Sequence, residues 1–229
     1  ALLVGAYSLL DGVGSGNVGR TSTSSNYVFG GITSGDAVKG TDAGDQPEQT
    51  YIEQFNWLSD NSYFFGKWWG MYDGVARANE AMLLAQSADV KDMTDAEKAQ
   101  VVAEAKFLRG HFHFEAKKMW NKVPYISGTV YKLEDPNSTK IPNTADIWPN
   151  IEKDFSDAAA VLPATQSQKG RATKWSAMTY LAKAYMFQKK FAAAKTLLED
   201  VYKNSGKKLV PNYHDNFRTT GNNNAESIF

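Results

Sequence analysis

The chain of 229 residues contains no cysteine. Disulfide bonds, thiolate metal sites and cysteine nucleophiles are therefore excluded. Proteins without cysteine function in both oxidising and reducing compartments, so this absence does not assign a location.

An excess of charge of one sign is also lacking, because 25 Lys and Arg residues balance 25 Asp and Glu residues. Proteins that bind nucleic acid usually carry a basic surface, so we expect no nucleic-acid partner. Long apolar runs are missing too. The apolar segment 1–10 is much shorter than the about 20 residues that a bilayer span requires. We predict a short packed helix there, with Leu2, Leu3, Ala6 and Leu10 on one face.

The chain has only 3 histidines, and they do not have the spacing of a metal site. His111 and His113 are two residues apart on a predicted helix, so their rings point about 200° apart and cannot share one zinc ion. Asp36, Asp42 and Asp45 could offer oxygen ligands to calcium, but their spacing fits no EF-hand. We favour aspartates of solvated turns and leave the calcium alternative open.

No motif indicates catalysis. Residues 14–19 match the letters of a dinucleotide-binding fingerprint, but residues 20–25 are a poor helix, and the chemistry needs a helix there. The chain has no G-x-S-x-G motif and no phosphate-binding loop, and sequence spacing pairs no two carboxylates across a cleft. We expect a protein that is not an enzyme and needs no cofactor, with a glycoside hydrolase as the minor alternative.

Apolar residues recur at helical spacing along most of the chain. The predicted helical segments are 68–86, 95–120, 144–162 and 174–204, the last broken near residues 189–190. Thr94 and Glu97 form a capping-box signature at the start of the second segment, and Gly206 stands where a C-terminal helix cap is expected.

The last segment matches the offsets of a tetratricopeptide hairpin, in which small residues let two helices approach closely. The matching residues are Met178, Leu181, Ala182, Tyr185, Ala194, Leu198 and Val201. We expect Tyr185 and Leu198 to fill the space between the helices. An ordinary antiparallel helix pair is the alternative, since it has a similar periodicity.

Two long stretches, 12–62 and 121–143, lack helical periodicity, and we expect short strands or turns in the first. Long irregular loops in a compact domain are usually functional. The sequence thus predicts a mainly α protein of tetratricopeptide-like helical hairpins, with long irregular loops and few short strands.

Aromatic residues make up 13% of the chain, and several fall in or beside the first loop. Flat rings stack on the C–H faces of sugars, and side-chain amides bind the hydroxyls. The candidate ligand contacts are therefore Tyr51, Trp57 and Tyr63, with Asn56 and Asn61. The alternative is that these rings only pack the loop onto the helices. We favour that packing role for three phenylalanines: Phe55, Phe64 and Phe65.

Several segments, in order, resemble the amino-terminal half of the SusD/RagB family of nutrient-binding outer-membrane lipoproteins. They are residues 34–40, 68–79, 104–124, 148–163 and 224–229, and the stretch from Glu104 through Leu108-Arg109 to Val123-Pro124 is the most specific. Gly110 stands where the family prefers Ala, and Asn121 where Gly is usual.

The resemblance implies one SusD-like domain, of which residues 1–229 form the amino-terminal part. Its parts would be a loop-rich segment 12–62, a helical segment 68–120 and tetratricopeptide-like helices over 144–205. We expect the carboxy-terminal half and the lipid-bearing cysteine to lie outside this chain.

The resemblance also implies a function. Such a protein captures oligosaccharide, or in some members peptide, on the external face of the outer membrane, and acts with a SusC-like TonB-dependent transporter. It implies structural, helix-pairing roles for Arg109 and Asp154. A protein- or peptide-binding scaffold without sugar binding is the alternative, because it would need only the helical hairpins.

Overall fold

The structure, a computed structural model, describes residues 1–10, 27–42, 44–128 and 136–229. The Gly-rich motif at 14–19 lies outside the described residues. The α-helices are α1 Leu2–Tyr7, α2 Pro47–Glu53, α3 Ser62–Ser87, α4 Asp95–Trp120, α5 Trp148–Val161, α6 Lys174–Phe187 and α7 Phe191–Asn204. A π-helical turn spans Tyr27–Ile32, and short 3-10 turns span Pro136–Thr139, Tyr213–Phe217 and Thr219–Gly221. The prediction of a mainly α protein is confirmed.

The long helices pack in chain order, α3 against α4, α4 against α5, α5 against α6 and α6 against α7, and α1 lies against α3 and α4. This is the arrangement of stacked helical hairpins. Helix α4 is central, and its rings Phe107, Phe112 and Phe114 are fully buried. The main core therefore runs along α4, between α3 on one side and α5 on the other.

The predicted helix ends are correct where local capping signals exist. Thr94 accepts a hydrogen bond from the Glu97 backbone N–H, and Glu97 accepts one from the Thr94 backbone N–H, which completes the predicted capping box of α4. The break near residues 189–190 separates α6 from α7, and Gly206 follows α7 with φ +71°.

The predicted content of the loop-rich segment was wrong in part. Among its described residues there is no β-strand, and the regular elements are the π-helical turn and α2. Pro47 lies in the first turn of α2, where its missing N–H breaks no helical bond, and Ile52 is buried with Val28 and Ile32 in a small second core. Helix α3 also begins earlier than predicted, at Ser62 and not at Trp68.

The tetratricopeptide-like hairpin is confirmed as α6 and α7, with one correction. Most of the matching positions are buried, Tyr185 is half-buried, and Leu198 is 37% exposed. Ala194 and Val201 form the contact line of α7 with α6, so Leu198 lies at its edge and does not fill the space between the helices.

A buried ion pair joins the centre of the stack. The guanidinium of Arg109 on α4 donates two hydrogen bonds to the carboxylate of Asp154 on α5, at 2.9 and 2.5 Å, and both side chains are almost fully buried. The same guanidinium donates to the Asn79 side chain of α3 and to the Ser127 carbonyl, and the Tyr125 hydroxyl donates to Asp154. One cation thus links three helices and the chain after α4, in the structural role that the family resemblance implied.

A second buried charge fixes α1 to the stack. The carboxylate of Glu104 on α4 is 1% exposed and accepts hydrogen bonds from the Tyr7 hydroxyl at 2.7 Å and from Arg171 at 3.1 Å. The Tyr7 hydroxyl in turn accepts the backbone N–H of Ala172. The first helix is therefore held by a polar network as well as by its buried apolar residues, Leu3, Ala6 and the following Leu9.

We predict that Gly74→Ala destabilises the fold. A Cβ atom at position 74 of α3 would lie 2.5 Å from the ring of Phe112 on α4, so the two helices would have to separate. Overpacking of this kind costs about 1–3 kcal/mol, which chemical denaturation measures. Gly5→Ala is the matched control, because its nearest neighbour, Arg77 Nη1, is 3.8 Å away. Equal stability of the Gly74→Ala variant and the wild type would contradict the close packing of α3 on α4.

We also predict a loss of stability in mild acid. Burial lowers the pKa of His113 to about 3 and that of His111 to about 4, whereas in the unfolded chain both are about 6.5. Below about pH 6.5 the unfolded chain therefore binds more protons than the folded one. The free energy of unfolding should fall toward pH 4, by up to about 1.4 kcal/mol per pH unit for each histidine.

The measurement is urea denaturation between pH 7 and pH 5.5. His113 accepts a hydrogen bond from the Ile126 N–H at Nε2, and its Nδ1 bonds the Arg109 carbonyl, so the ring is held neutral. His113→Gln should lower stability at every pH but make the pH dependence shallower. An unchanged slope in this variant would show that His113 is not a source of the effect.

Candidate functional site

The predicted ligand residues lie around the turn that connects α2 to α3. Helix α2 ends at Glu53 with Gln54 as its C-cap, and Phe55 adopts a left-handed conformation with φ +54°. The Phe55 N–H donates to the Ile52 carbonyl at 3.1 Å, and the Asn56 N–H donates to the Tyr51 carbonyl at 2.8 Å. These two bonds define a Schellman motif, with Phe55 at the position after the cap where glycine is most common.

Three rings at this turn are exposed, and we call Tyr51, Phe55 and Trp57 the aromatic surface. Their exposed fractions are 45%, 64% and 41%. The rings of Phe55 and Trp57 are 5.7 Å apart, and Trp57 meets Phe64 edge-on at 5.5 Å. Trp57 is thus held between an exposed ring and a half-buried one, which fixes the indole while one side of it stays open to solvent.

The surroundings of the aromatic surface combine polar side chains with one apolar side chain, Leu58, which is 73% exposed. Asn56 is exposed within the turn, and Gln54, Ser59 and Asp60 are exposed beside it. Amide, hydroxyl and carboxylate groups next to open rings can bind hydroxyl groups while the rings stack on a C–H face. Asn56 remains available for the predicted role.

Two of the predicted ligand contacts are buried. Tyr63 is 5% exposed and packs with Val28, Ile32 and Ile52. Its hydroxyl donates to the Gln46 side chain at 2.7 Å and accepts from the Gln49 side chain at 2.5 Å. This environment is that of a core residue, which corrects its placement on an accessible surface.

Asn61 is 3% exposed and caps α3. Its Oδ1 accepts the N–H of Tyr63 at 3.0 Å, and its Nδ2 donates to the carbonyl of Glu48 in α2. The side chain therefore uses its amide to join two helices. The sequence signal for this was present, since an Asn before a helical apolar run is a common N-cap.

The predicted packing role was wrong for two of the three phenylalanines. Phe64 is half-buried and contacts Phe29 and Trp57, as its packing role requires. Phe55 and Phe65 are 64% and 71% exposed. Composition could not distinguish them from Phe64, because their exposure depends on the left-handed turn at residue 55 and on the first turn of α3.

The aspartates considered for calcium serve as turn residues. One side-chain oxygen of Asp42 accepts the N–H groups of Gly44 and Asp45, and Asp36 accepts a hydrogen bond from Ser34. No group of three or more His, Asp or Glu side chains suited to a metal ion occurs in the part of the chain that the structure describes.

Comparison with known proteins decides the family. The sequence profile SusD-like_3, described as "Starch-binding associating with outer membrane", matches residues 22–186. The chain belongs to the SusD-like family. A SusD-like protein of Bacteroides ovatus is 31% identical over 174 residues, which are 71% of this chain and 32% of that protein. This family consists of glycan-binding proteins that are generally not catalytic.

Solved structures agree with the SusD-like fold. Surface glycan-binding protein A from Bacteroides fluxus matches 100% of this chain and 48% of its own, with a TM-score of 0.83 and 25% identity. The same protein from Bacteroides thetaiotaomicron, in complex with laminarihexaose, matches 100% of this chain and 47% of its own, with a TM-score of 0.79 and 22% identity. The chain thus spans about half the length of these SusD-like structures.

The family description places SusD-like proteins in association with the outer membrane. Among the helices that the structure describes, none is both long enough and apolar enough to cross a bilayer.

We predict that Asn61→Ala destabilises the junction of α2 and α3. The substitution removes the N-cap of α3 and the bond to Glu48, at a cost of about 1–2 kcal/mol. Asn61→Ser is the control, because its neutral hydroxyl can still accept the Tyr63 N–H and only the bond to Glu48 is lost. Thermal unfolding should rank the proteins as wild type, then Asn61→Ser, then Asn61→Ala. Equal melting temperatures of the two variants would argue against the cap.

Proposed function

We propose that the protein captures oligosaccharides at the aromatic surface, without cleaving them, and delivers them to a SusC-like TonB-dependent transporter. It would act on the external face of the outer membrane, held there by a lipid anchor. The observation that carries the proposal is the group of open rings at the α2–α3 turn, in a chain of the SusD-like family.

The physical case for a sugar ligand rests on the mixture of groups. Large apolar side chains are exposed at a cost to the free protein, so a cluster of them calls for an occupant. The C–H faces of a pyranose ring would cover Trp57 and Phe55. The ring hydroxyls would reach the amide and carboxylate groups of the same turn. A purely apolar ligand would leave these polar groups unsatisfied.

Delivery to a transporter is supported by the family description, which places these proteins at the outer membrane. We propose that the stacked helices face the transporter and that the α2–α3 turn faces the ligand. Separate surfaces would let the protein hold a sugar and its transporter together.

The alternative is a tetratricopeptide-like scaffold that binds protein or peptide and no sugar. The hairpin α6–α7 favours it, because hairpins of this type are common in such scaffolds. The SusD-like family and the open rings favour sugar capture. One binding experiment distinguishes the two functions.

We predict that Trp57→Ala weakens oligosaccharide binding about tenfold or more, as loss of a central aromatic contact does. The wild type is first tested against oligosaccharides of glucans, mannans, xylans and galactans, including laminarihexaose. Isothermal titration then compares the variants on the strongest binder. Trp57→Ala should keep the wild-type melting temperature within a few degrees, because its ring is 41% exposed.

Tyr202→Ala is the matched control. Tyr202 is an aromatic residue on α7 that is 84% exposed, away from the α2–α3 turn, and its loss should leave binding unchanged. Unchanged affinity of Trp57→Ala would remove the aromatic surface from the site. Binding of peptides with no binding of any oligosaccharide would favour the scaffold.

A further inference from the structure

We infer that Phe55 is a ligand contact, and that its left-handed backbone presents the ring beside Trp57 at the expense of stability. This inference rests on the proposed function. It adds Phe55 to the ligand contacts, although the sequence predicts a packing role for this residue.

Residue 55 occupies the left-handed position of a Schellman motif, as φ +54° and the two hydrogen bonds at the end of α2 establish. Glycine adopts this conformation without penalty, whereas a bulky side chain there is a rare outlier because its Cβ crowds the backbone. On stability alone, glycine would be the better residue at position 55.

The Phe55 ring does not offset this backbone penalty by burial. A buried ring could offset the backbone penalty by leaving water, but the Phe55 ring is 64% exposed. Its ring contact is with Trp57 at 5.7 Å. The left-handed residue reverses the chain so that the Trp57 ring lies beside the Phe55 ring, with an angle of 50° between the two ring planes. Apart from this contact with Trp57, the side chain buries little in the free protein, and it enlarges the surface open to a ligand.

A second turn of the chain, after α6, has the same backbone and presents a different side chain. Lys189 also has a positive φ, +61°, and lies at the same position of a second Schellman motif, after α6. The Lys189 N–H donates to the Met186 carbonyl, and the Lys190 N–H donates to the Tyr185 carbonyl. The two turns share their backbone and differ in the side chain that they present, so Lys189 provides a matched control for Phe55.

The experiment compares Phe55→Gly, Phe55→Ala, Phe55→Tyr and Lys189→Gly in the full chain, by thermal unfolding and by isothermal titration with laminarihexaose or the strongest binder of the oligosaccharide panel. Both glycine variants should raise Tm by about 2–4 °C, because both relieve a left-handed residue. Phe55→Gly and Phe55→Ala should weaken binding about tenfold, because both remove the ring. Lys189→Gly and Phe55→Tyr should bind like the wild type.

The four variants distinguish the ring from the backbone. Phe55→Ala keeps the left-handed conformation and loses the ring, so weaker binding without a higher Tm assigns the effect to the ring. Weaker binding by Phe55→Gly alone would assign the effect to a loosened loop and overturn the inference. A lower Tm for Phe55→Gly would also overturn it, since the ring would then stabilise the free protein.

Failure of this inference and failure of the proposed function give different results. Unchanged binding by Phe55→Gly and Phe55→Ala, together with weaker binding by Trp57→Ala, overturns the role of Phe55 and retains sugar capture. No binding of any oligosaccharide by the wild type overturns both.

Discussion

The ion pair between Arg109 and Asp154 fixes the relative positions of α3, α4 and α5. Two charges removed from water are costly, and attraction between them compensates only when every remaining donor and acceptor is satisfied. Here the guanidinium also binds Asn79 and the Ser127 carbonyl, and Asp154 also accepts the Tyr125 hydroxyl. A shift of any one helix along its neighbour would leave a charge buried without its partners. The network therefore selects one register of the stack, which apolar packing alone does not do, since apolar contacts can be exchanged for similar ones.

This constraint reaches the candidate site through α3. The Asn79 and Tyr72 side chains tie α3 to the chain after α4, through the carbonyls of Ile126 and Pro124. With α3 fixed, its first turn holds Asn61, and Asn61 holds α2 through Glu48. The aromatic surface lies in the last turn of α2 and in the short connection from α2 to α3, and both ends of that connection are fixed to helices. The side chains that contact ligand under our proposal are thus on a loop, but the loop has little freedom to move its ends.

The sequence was sufficient for the long helices, and insufficient for α2 and for the exposure of individual rings. The periodicity of α4 and the capping box at Thr94 depend on neighbouring residues in the chain, so they are visible without a structure. Tyr63 and Phe55 are different, because a tyrosine and a phenylalanine beside the same loop have similar composition signals. Their exposure was decided by the N-cap at Asn61, which draws Tyr63 into α3, and by the left-handed conformation of Phe55. The signal for the first was present in the sequence, whereas a left-handed bulky residue has no sequence signature, because the expected residue is glycine.

The small hydrophobic cluster below the α2–α3 turn is separate from the main core, and this separation has a consequence for how such a site can change. The main core follows α4, whereas the small cluster of Val28, Ile32, Ile52 and Tyr63 supports α2 and the π-helical turn. Substitutions in separate, non-contacting groups usually have additive effects, so changes at Tyr51, Phe55 or Trp57 should leave the register set by Arg109 intact. The stacked helices can then retain one arrangement while the rings at the α2–α3 turn vary with the ligand. In a family of glycan-binding proteins, this division allows specificity to change at exposed positions without a matching change in the buried ion pair, because no residue of the aromatic surface takes part in that network.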